Sequence, residues 1–421
     1  MKRIAVHIII FFLSVPVVFG QSPLSLETCR EAARNEGKLE ELYTLIALDQ
    51  EANARLEQHP FLLSISAYGT ASYQTDAPNP ASVTDFPFVL HASPKFQYHA
   101  GFLMAQPIYS GGQRRVRSEL NDVEHEIQRT NLDSRGVELD SAVEELFLGI
   151  LLARKRDEIL TRQLNAIRIK QEDARRAHEA GAVYRDAVLS LEAQLSKLEA
   201  ELAGNEAQTA AAIAMLAELT GLPIDAETEL ELPVGEDTGA FVPDPGLARL
   251  DLQGRQIELN KRLLRAQARP SLQAIATIGY GRWPLNFFER RPDVYGIVGL
   301  TLHIPITDWR AVNQGTARLD AAARQLDLER ENAERQKRLA LLKYDGEIAR
   351  YNTLLDANER TVARYEELCN ELDALSTQGA SSLSDYLTAL EQLSAARLDG
   401  ELYAILKLQQ QLLRKRYISK P

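Results

Sequence analysis

The chain has 421 residues, enough for a large core, with 59 acidic against 48 basic side chains, a formal net charge of −11 and only 7% aromatic residues. This acidic balance excludes a nucleic-acid surface built on a basic excess. Modest glycine and proline, 23 and 17 residues, exclude a collagen-like or low-complexity chain, and abundant Leu, Ala, Glu, Arg and Gln favour long helices.

Residues 1–20 read as a cleaved signal peptide: Lys2 and Arg3 precede an apolar stretch from Ile4 to Phe19, and Val18 and Gly20 place small residues before a cut near Gly20. Cys29 follows Leu26-Glu27-Thr28, which is no lipobox. After Gly20 no apolar run is long enough for a membrane-spanning helix, so any crossing of a bilayer falls to strands. Cys29 and Cys369 are the only cysteines, too few for a disulfide framework, and read as two helix-packed thiols, with a bridge between them as the alternative in an oxidising compartment.

The remainder shows one order of features twice. A first repeat covers residues 21–221. Its opening helix from Leu26 to Gln58 leads to Pro60 and to two alternating segments at about 61–74 and 95–107, followed by a helical hairpin over 111–221 with its tip near Gly181. Residues 222–246, proline-bearing and acidic, form a connector. The second repeat, 247–421, runs from a helix over Leu247–Ala268 to Pro270, to strands at about 271–282 and 293–306, and to a hairpin over 309–415 with its tip near Gly379.

In the strands, Leu63, Ile65, Ala67, Ala71 and Tyr73 alternate with Ser64, Ser66, Tyr68, Thr70 and Ser72, and Phe96, Tyr98, Ala100, Phe102 and Met104 with Gln97, His99 and Gly101. Leu272, Ala274, Ala276, Ile278 and Tyr280, then Val294, Val298, Leu300, Leu302 and Ile304, repeat the pattern. Each segment has the length of a tilted strand crossing a bilayer. The proline-free stretches Gln113–Ala180 and Arg310–Gln378 correspond, as helices, to about 100 Å each. In the returning legs Val188, Leu191, Leu195, Leu198 and Leu202 step as heptad seam positions, as do Leu383, Leu387 and Leu390, then Leu398, Leu402 and Ile405.

In this order the residues resemble the outer membrane efflux protein family, the TolC-like channels. The resemblance lies in the opening Leu24-Ser25-Leu26-Glu27-Thr28-Cys29-Arg30-Glu31-Ala32, in Gln106-Pro107-Ile108-Tyr109-Ser110-Gly111-Gly112, in Leu219-Thr220-Gly221-Leu222-Pro223 and in Val298-Gly299-Leu300. Gly279-Tyr280-Gly281-Arg282 before Pro284-Leu285-Asn286 is similar to Bacteroidetes-type members. The resemblance implies a mainly α fold with a membrane β-barrel part: a homotrimer whose twelve strands form one outer-membrane barrel continuous with a periplasmic α-helical tunnel. It implies the exit duct of a tripartite efflux or type I secretion system, in the outer membrane and extending into the periplasm, with a periplasmic adaptor and an inner-membrane pump as partners and no cofactor.

The family narrows its tunnel near the hairpin turns with lumen-facing acids, and the matching positions are Asp186 and Asp385. As rings of three they would attract cations; as first-turn acids of the returning helices they also suit capping. A second acid expected three residues on is Thr388 here, and the family's gating arginine is matched by Ser381, which leaves Arg185 as a substitute. The same resemblance places adaptor docking at Gly181, Ala182 and Val183 and at Gly379, Ala380 and Ser381.

The loops Thr75–Ser93 and Trp283–Pro292 would face outside the cell, with Trp283, Phe287 and Phe288 as interfacial aromatics. No enzyme motif emerges: the histidines lack metal-ligand spacing, and Gly279-Tyr280-Gly281 opens onto Arg282-Trp283-Pro284 rather than a helix. The periodicities also fit a secreted periplasmic coiled-coil scaffold whose hairpins never enter lipid.

Overall fold

The chain was analysed as a computed structural model, which describes residues 23–77, 79, 94–181, 183–233, 244–281, 291–307, 309–377 and 383–417. The expected signal peptide, most of both predicted outer loops and the middle of the connector lie outside the described residues.

The described elements run α1 (Leu26–Glu36), α2 (Leu39–Gln58), a short 3-10 turn (His59–Phe61), β1 (Ser64–Tyr73), β2 (Phe96–Ser110), α3 (Gln113–Glu179), α4 (Arg185–Thr220), α5 (Pro245–Gln267), β3 (Ser271–Gly281), β4 (Asp293–His303), α6 (Trp309–Thr377) and α7 (Leu383–Tyr417). The chain is thus mainly helical with a few strands. No described helix is long and apolar enough to cross a membrane. Two compact units each draw on both halves of the chain, one within Met1–Lys38, Val137–Ala240 and Leu342–Ile418, the other within Leu39–Gly136, Phe241–Leu341 and Ser419–Pro421.

The segment expected as one opening helix is two, broken at Gly37 and Lys38. Lys38 takes a left-handed φ of 53°, while the Gly37 amide closes the last turn of α1 onto Ala33 O at 2.8 Å.

In the first unit α1, α3, α4, α6 and α7 pack through three apolar clusters. One gathers Leu160, Leu164 and Ile167 of α3, Leu191, Leu195 and Leu198 of α4, Cys369 of α6 and Tyr386, Ala389, Leu390 and Leu393 of α7. The expected seam of α4 is therefore its buried face. In α7 the stripe is wider than the leucine spacing suggests, because Tyr386, Ala389 and Ala396 are as buried as Leu390. A second cluster seats Leu26, Cys29 and Ala33 of α1 against Val143, Phe147 and Ile150 of α3 and Ile213 and Leu216 of α4. A third joins Leu148 of α3 to Ile405 and Leu408 of α7.

Beside the second cluster, Glu144 accepts hydrogen bonds from both Arg30 and Arg416, and Arg416 also donates to Ser141. Arg34 adds a bidentate pair to Asp140 at 3.0 and 2.5 Å.

The two cysteines lie in different clusters and both are free thiols. Burial pushes the Cys29 thiol up to about 11 and raises that of Cys369. At pH 7.5 almost none of either exists as the reactive thiolate. The folded protein is expected to take up less than about a tenth of an iodoacetamide equivalent per cysteine in the time a model thiol is consumed, and both cysteines should label fully in guanidinium; mass spectrometry of the quenched reaction checks this.

In the second unit the four strands form one antiparallel sheet in the order β1-β2-β3-β4, so among the described residues β1 and β4 are edges without a further strand partner. The register puts Ile65, Ala67, Ala71 and Tyr73 beside Met104, Phe102, Tyr98 and Phe96. It carries this face on to Ala276, Ile278 and Tyr280 and to Val298, Leu300 and Leu302. Apart from Gln106, which lies beside Ala274, the side chains of this face are apolar or tyrosines, and the described residues leave much of it uncovered: Ile65 is 60%, Val298 85% and Leu300 68% exposed. The opposite face is the more polar one: it carries Ser64, Ser66, Tyr68 and Thr70, then Gln97 and His99, Gln273 and Thr277, and Tyr295 and Thr301, with Leu103, Ile275 and Ile297 among them. β2 continues past Pro107, its expected end, because a register shift between Pro107 and Tyr109 absorbs the proline, which has no amide to give the ladder.

The helices of this unit hold together by polar contacts. α2 buries no residue and meets α3 through Gln50 and Asp122 at 3.2 Å, His125 and Asp49 at 3.1 Å and Arg117 and Glu57 at 3.1 Å. Lys261 of α5, its side chain 8% exposed, sits between Glu258 at 2.6 Å and Asp320 of α6 at 2.8 Å. The small cluster of Val116, Val123 and Leu259 is the apolar part.

Candidate functional site

The end of the first hairpin is built by its glycine. α3 closes with Ala180 N donating to Arg176 O at 3.0 Å and Gly181 N to His178 O at 2.9 Å. Gly181 then takes φ +75°, and a Cβ there would meet nothing within 4 Å. Glycine is thus needed for the left-handed turn and not for room. The turn is braced by His178 Nδ1 against Val183 O at 2.9 Å, and the following Tyr184 is 85% exposed.

Asp186 lies in the first turn of α4, where the preceding N-cap, Tyr184, gives no side-chain hydrogen bond. Its carboxylate accepts from Ala187 N at 3.0 Å, which satisfies one of the open amides of the helix start. Asp385 occupies the matching first turn of α7 and is exposed. Both acids thus lie in the first turn of a returning helix, and Asp186 accepts from the helix start while its side chain stays exposed. Among the predicted tip residues Gly181 and Val183 are placed as described, whereas Ala182, Gly379, Ala380 and Ser381 lie outside the described residues.

Just behind Asp385 the structure assembles a group that the leucine spacing did not single out. Lys170 of α3 pairs with Asp373 of α6, and its ammonium stands 5.1 Å from the ring centroid of Tyr386 of α7. Burial, then the neighbouring Asp373, raises the Tyr386 phenol above its ordinary range, so it stays protonated through the neutral range. A cation shared between a carboxylate and a ring face ties α3 to both helices of the second hairpin. No periodic pattern marks Lys170, since it lies 203 positions from Asp373 and meets it only through packing.

The connector start is also ordered by a cation. Arg154 of α3 donates to the carbonyls of Thr228 at 2.6 Å, Ala226 at 3.2 Å and Asp225 at 3.4 Å. Leu24 and Leu230 form a parallel bridge in the same place.

The family model described as outer membrane efflux protein matches residues 49–222. No curated protein matches the sequence significantly. Among solved structures, the chain is similar to the outer membrane protein VceC from Vibrio cholerae, with TM-score 0.73 at 13% identity over 94% of this chain and 96% of that one. It is similar to the CmeC outer membrane channel of Campylobacter jejuni, with TM-score 0.67 at 13% identity over 93% and 84%. The open state of the MtrE outer membrane channel of Neisseria gonorrhoeae gives TM-score 0.67 at 16% identity over 93% and 87%. At these identities the likeness is one of fold.

Proposed function

We propose that this chain, which belongs to the outer membrane efflux protein family, is an exit duct of a tripartite efflux or type I secretion system. Three copies each give four strands to one barrel in the outer membrane, and the helical hairpins continue as a tunnel in the periplasm. The leader is removed near Gly20 on export. Cargo enters at the hairpin tips, a periplasmic adaptor and an inner-membrane pump supply the energy, and the duct conducts passively.

The observation that carries this reading is the sheet. An apolar face left uncovered by its own chain is stable only against lipid or a partner. Two edge strands with open amides and carbonyls cannot remain open in hydrocarbon. Neighbouring copies that pair β1 of one protomer with β4 of the next remove both problems. A periplasmic scaffold would leave this face in water.

At the tips, Asp186 and Asp385 form two rings of three carboxylates each and make the constriction cation-attracting. Gly181, Ala182 and Val183, with Gly379, Ala380 and Ser381, receive the adaptor. Reconstituted in planar bilayers under a salt gradient, the wild type is expected to show a cation-selective reversal potential, and Asp186→Asn with Asp385→Asn should move it at least halfway to zero. Channels of unchanged selectivity in the double variant would assign both acids to helix capping alone. An absence of channels in the wild type would contradict the duct.

A further inference from the structure

On the polar face of the sheet, one register row runs Tyr68, Gly101, Gly279 and Tyr295 across the four strands. The next row on the same face runs Thr70, His99, Gly281 and Asp293. Tyr68 and Tyr295, which start from the two edge strands, lean inward until their hydroxyls are 2.6 Å apart. The His99 ring meets Tyr68 edge-on, with centroids 5.7 Å apart and planes at 66°.

The glycines explain how the rings can lie so low. A Cβ at Gly279 would fall 2.6 Å from Cζ and the hydroxyl of Tyr295, so the phenol fills the space of the missing side chain and lies across β3. At Gly101 and Gly281 a Cβ would come within 2.3 Å of Ile278 O and 2.4 Å of Tyr98 O, so the bare strands also approach closely there. Glycine in a strand interior sacrifices side-chain packing and marks close approach by backbone or ligand. The result is a shallow floor under two half-buried phenols and a half-buried imidazole, with exposed Asp293 at its rim.

The charge pattern selects what such a floor takes. Asp293 is the only Asp, Glu, Lys or Arg in the four strands. Within the strands, aromatic faces beside one carboxylate and no lysine or arginine attract a cation, and a flat organic one uses the rings as well as the charge.

We propose that Tyr68, His99, Tyr295 and Asp293 form a binding site for organic ammonium ions that carry an aromatic ring, on the inner wall of the barrel. Its placement on a lumenal wall rests on the duct reading. Threefold symmetry would set six tyrosines and three carboxylates around the passage.

The test uses the mature protein purified in detergent, with benzyltrimethylammonium as probe in titration calorimetry and as a blocker in planar bilayers. Wild type should bind the ion, and Tyr68→Leu with Tyr295→Leu should weaken binding at least tenfold. Tyr68→Phe with Tyr295→Phe, which keeps both rings, should stay within threefold of wild type, and Asp293→Asn, an exposed change, should weaken binding severalfold. The same tyrosine dependence should hold in the Asp186→Asn, Asp385→Asn background, which removes the tip carboxylates as a competing cation site. Affinity that survives both the leucine pair and Asp293→Asn, or that disappears with the tip acids instead, overturns the site. In bilayers the ion should reduce wild-type current and spare the leucine pair. Tyrosine-dependent binding without conductance in any variant would instead overturn the duct and, with it, the lumenal placement.

Discussion

Replacing Glu144 by alanine is expected to destabilise the helical part of the protein by about 3–5 kcal/mol, the cost of breaking a buried ion pair by removing one partner. Its side chain is 5% exposed and lies between Arg30 and Arg416, which are 20% and 23% exposed. Burial lowers the Arg416 pKa from its ordinary value, while Asp140 opposes that effect. Without Glu144, Arg30 keeps only its pair with the exposed Glu27, Arg416 keeps Ser141 and the nearby Asp140, and neither guanidinium can give up its proton at any ordinary pH. The three residues come from α1, α3 and α7, so the loss loosens α1 and α7 from α3. Urea titration of the helical circular dichroism signal in detergent measures it. Arg55→Ala is the control, since its pair with Glu51 is 78% and 62% exposed and is worth under about 1 kcal/mol. A Glu144→Ala midpoint no lower than that of Arg55→Ala would show that the triad carries no net stabilisation.

The second large effect is expected from Val298→Arg. Val298 stands mid-strand in β4, 85% exposed, on the apolar face. If that face meets lipid, a guanidinium near the bilayer midplane costs about 2–4 kcal/mol per copy, and a trimer multiplies it by three. Membrane-inserted protein should fall at least tenfold, with the remainder found in the periplasm or degraded. Thr277→Arg, one strand away on the polar face, should insert at close to wild-type levels because its side chain reaches water. Fractionation of outer membranes with quantitative blotting measures both. Equal insertion of the two variants would mean that the apolar face does not meet lipid.

Much of this was legible in the residues, and what was not shares a physical cause. The heptad seam of α4 is visible because Leu191, Leu195 and Leu198 pack along one line, and all three are buried. In α7 several neighbours share the burial, so Tyr386 and Ala389 join the stripe, and leucine spacing alone understates it. Strand alternation separated two faces within each strand, but only the register joined them into one continuous apolar surface across β1 to β4. The break between α1 and α2 had a local signal in Asn35-Glu36-Gly37-Lys38, with glycine at a helix end. The Arg30–Glu144–Arg416 triad and the Lys170–Asp373 pair had none, because packing alone brings together charges that lie far apart in the chain. At the tips the sequence placed Asp186 in the first turn of a helix. In the structure its carboxylate accepts from Ala187 N and stays exposed.

The central claim is that three chains complete one barrel, and end-on electron-microscopy class averages of the mature protein extracted from outer membranes in detergent test it most directly. The account predicts a hollow ring with threefold symmetry in which each chain supplies four strands. Monomers, dimers or a closed particle without a central opening would contradict it.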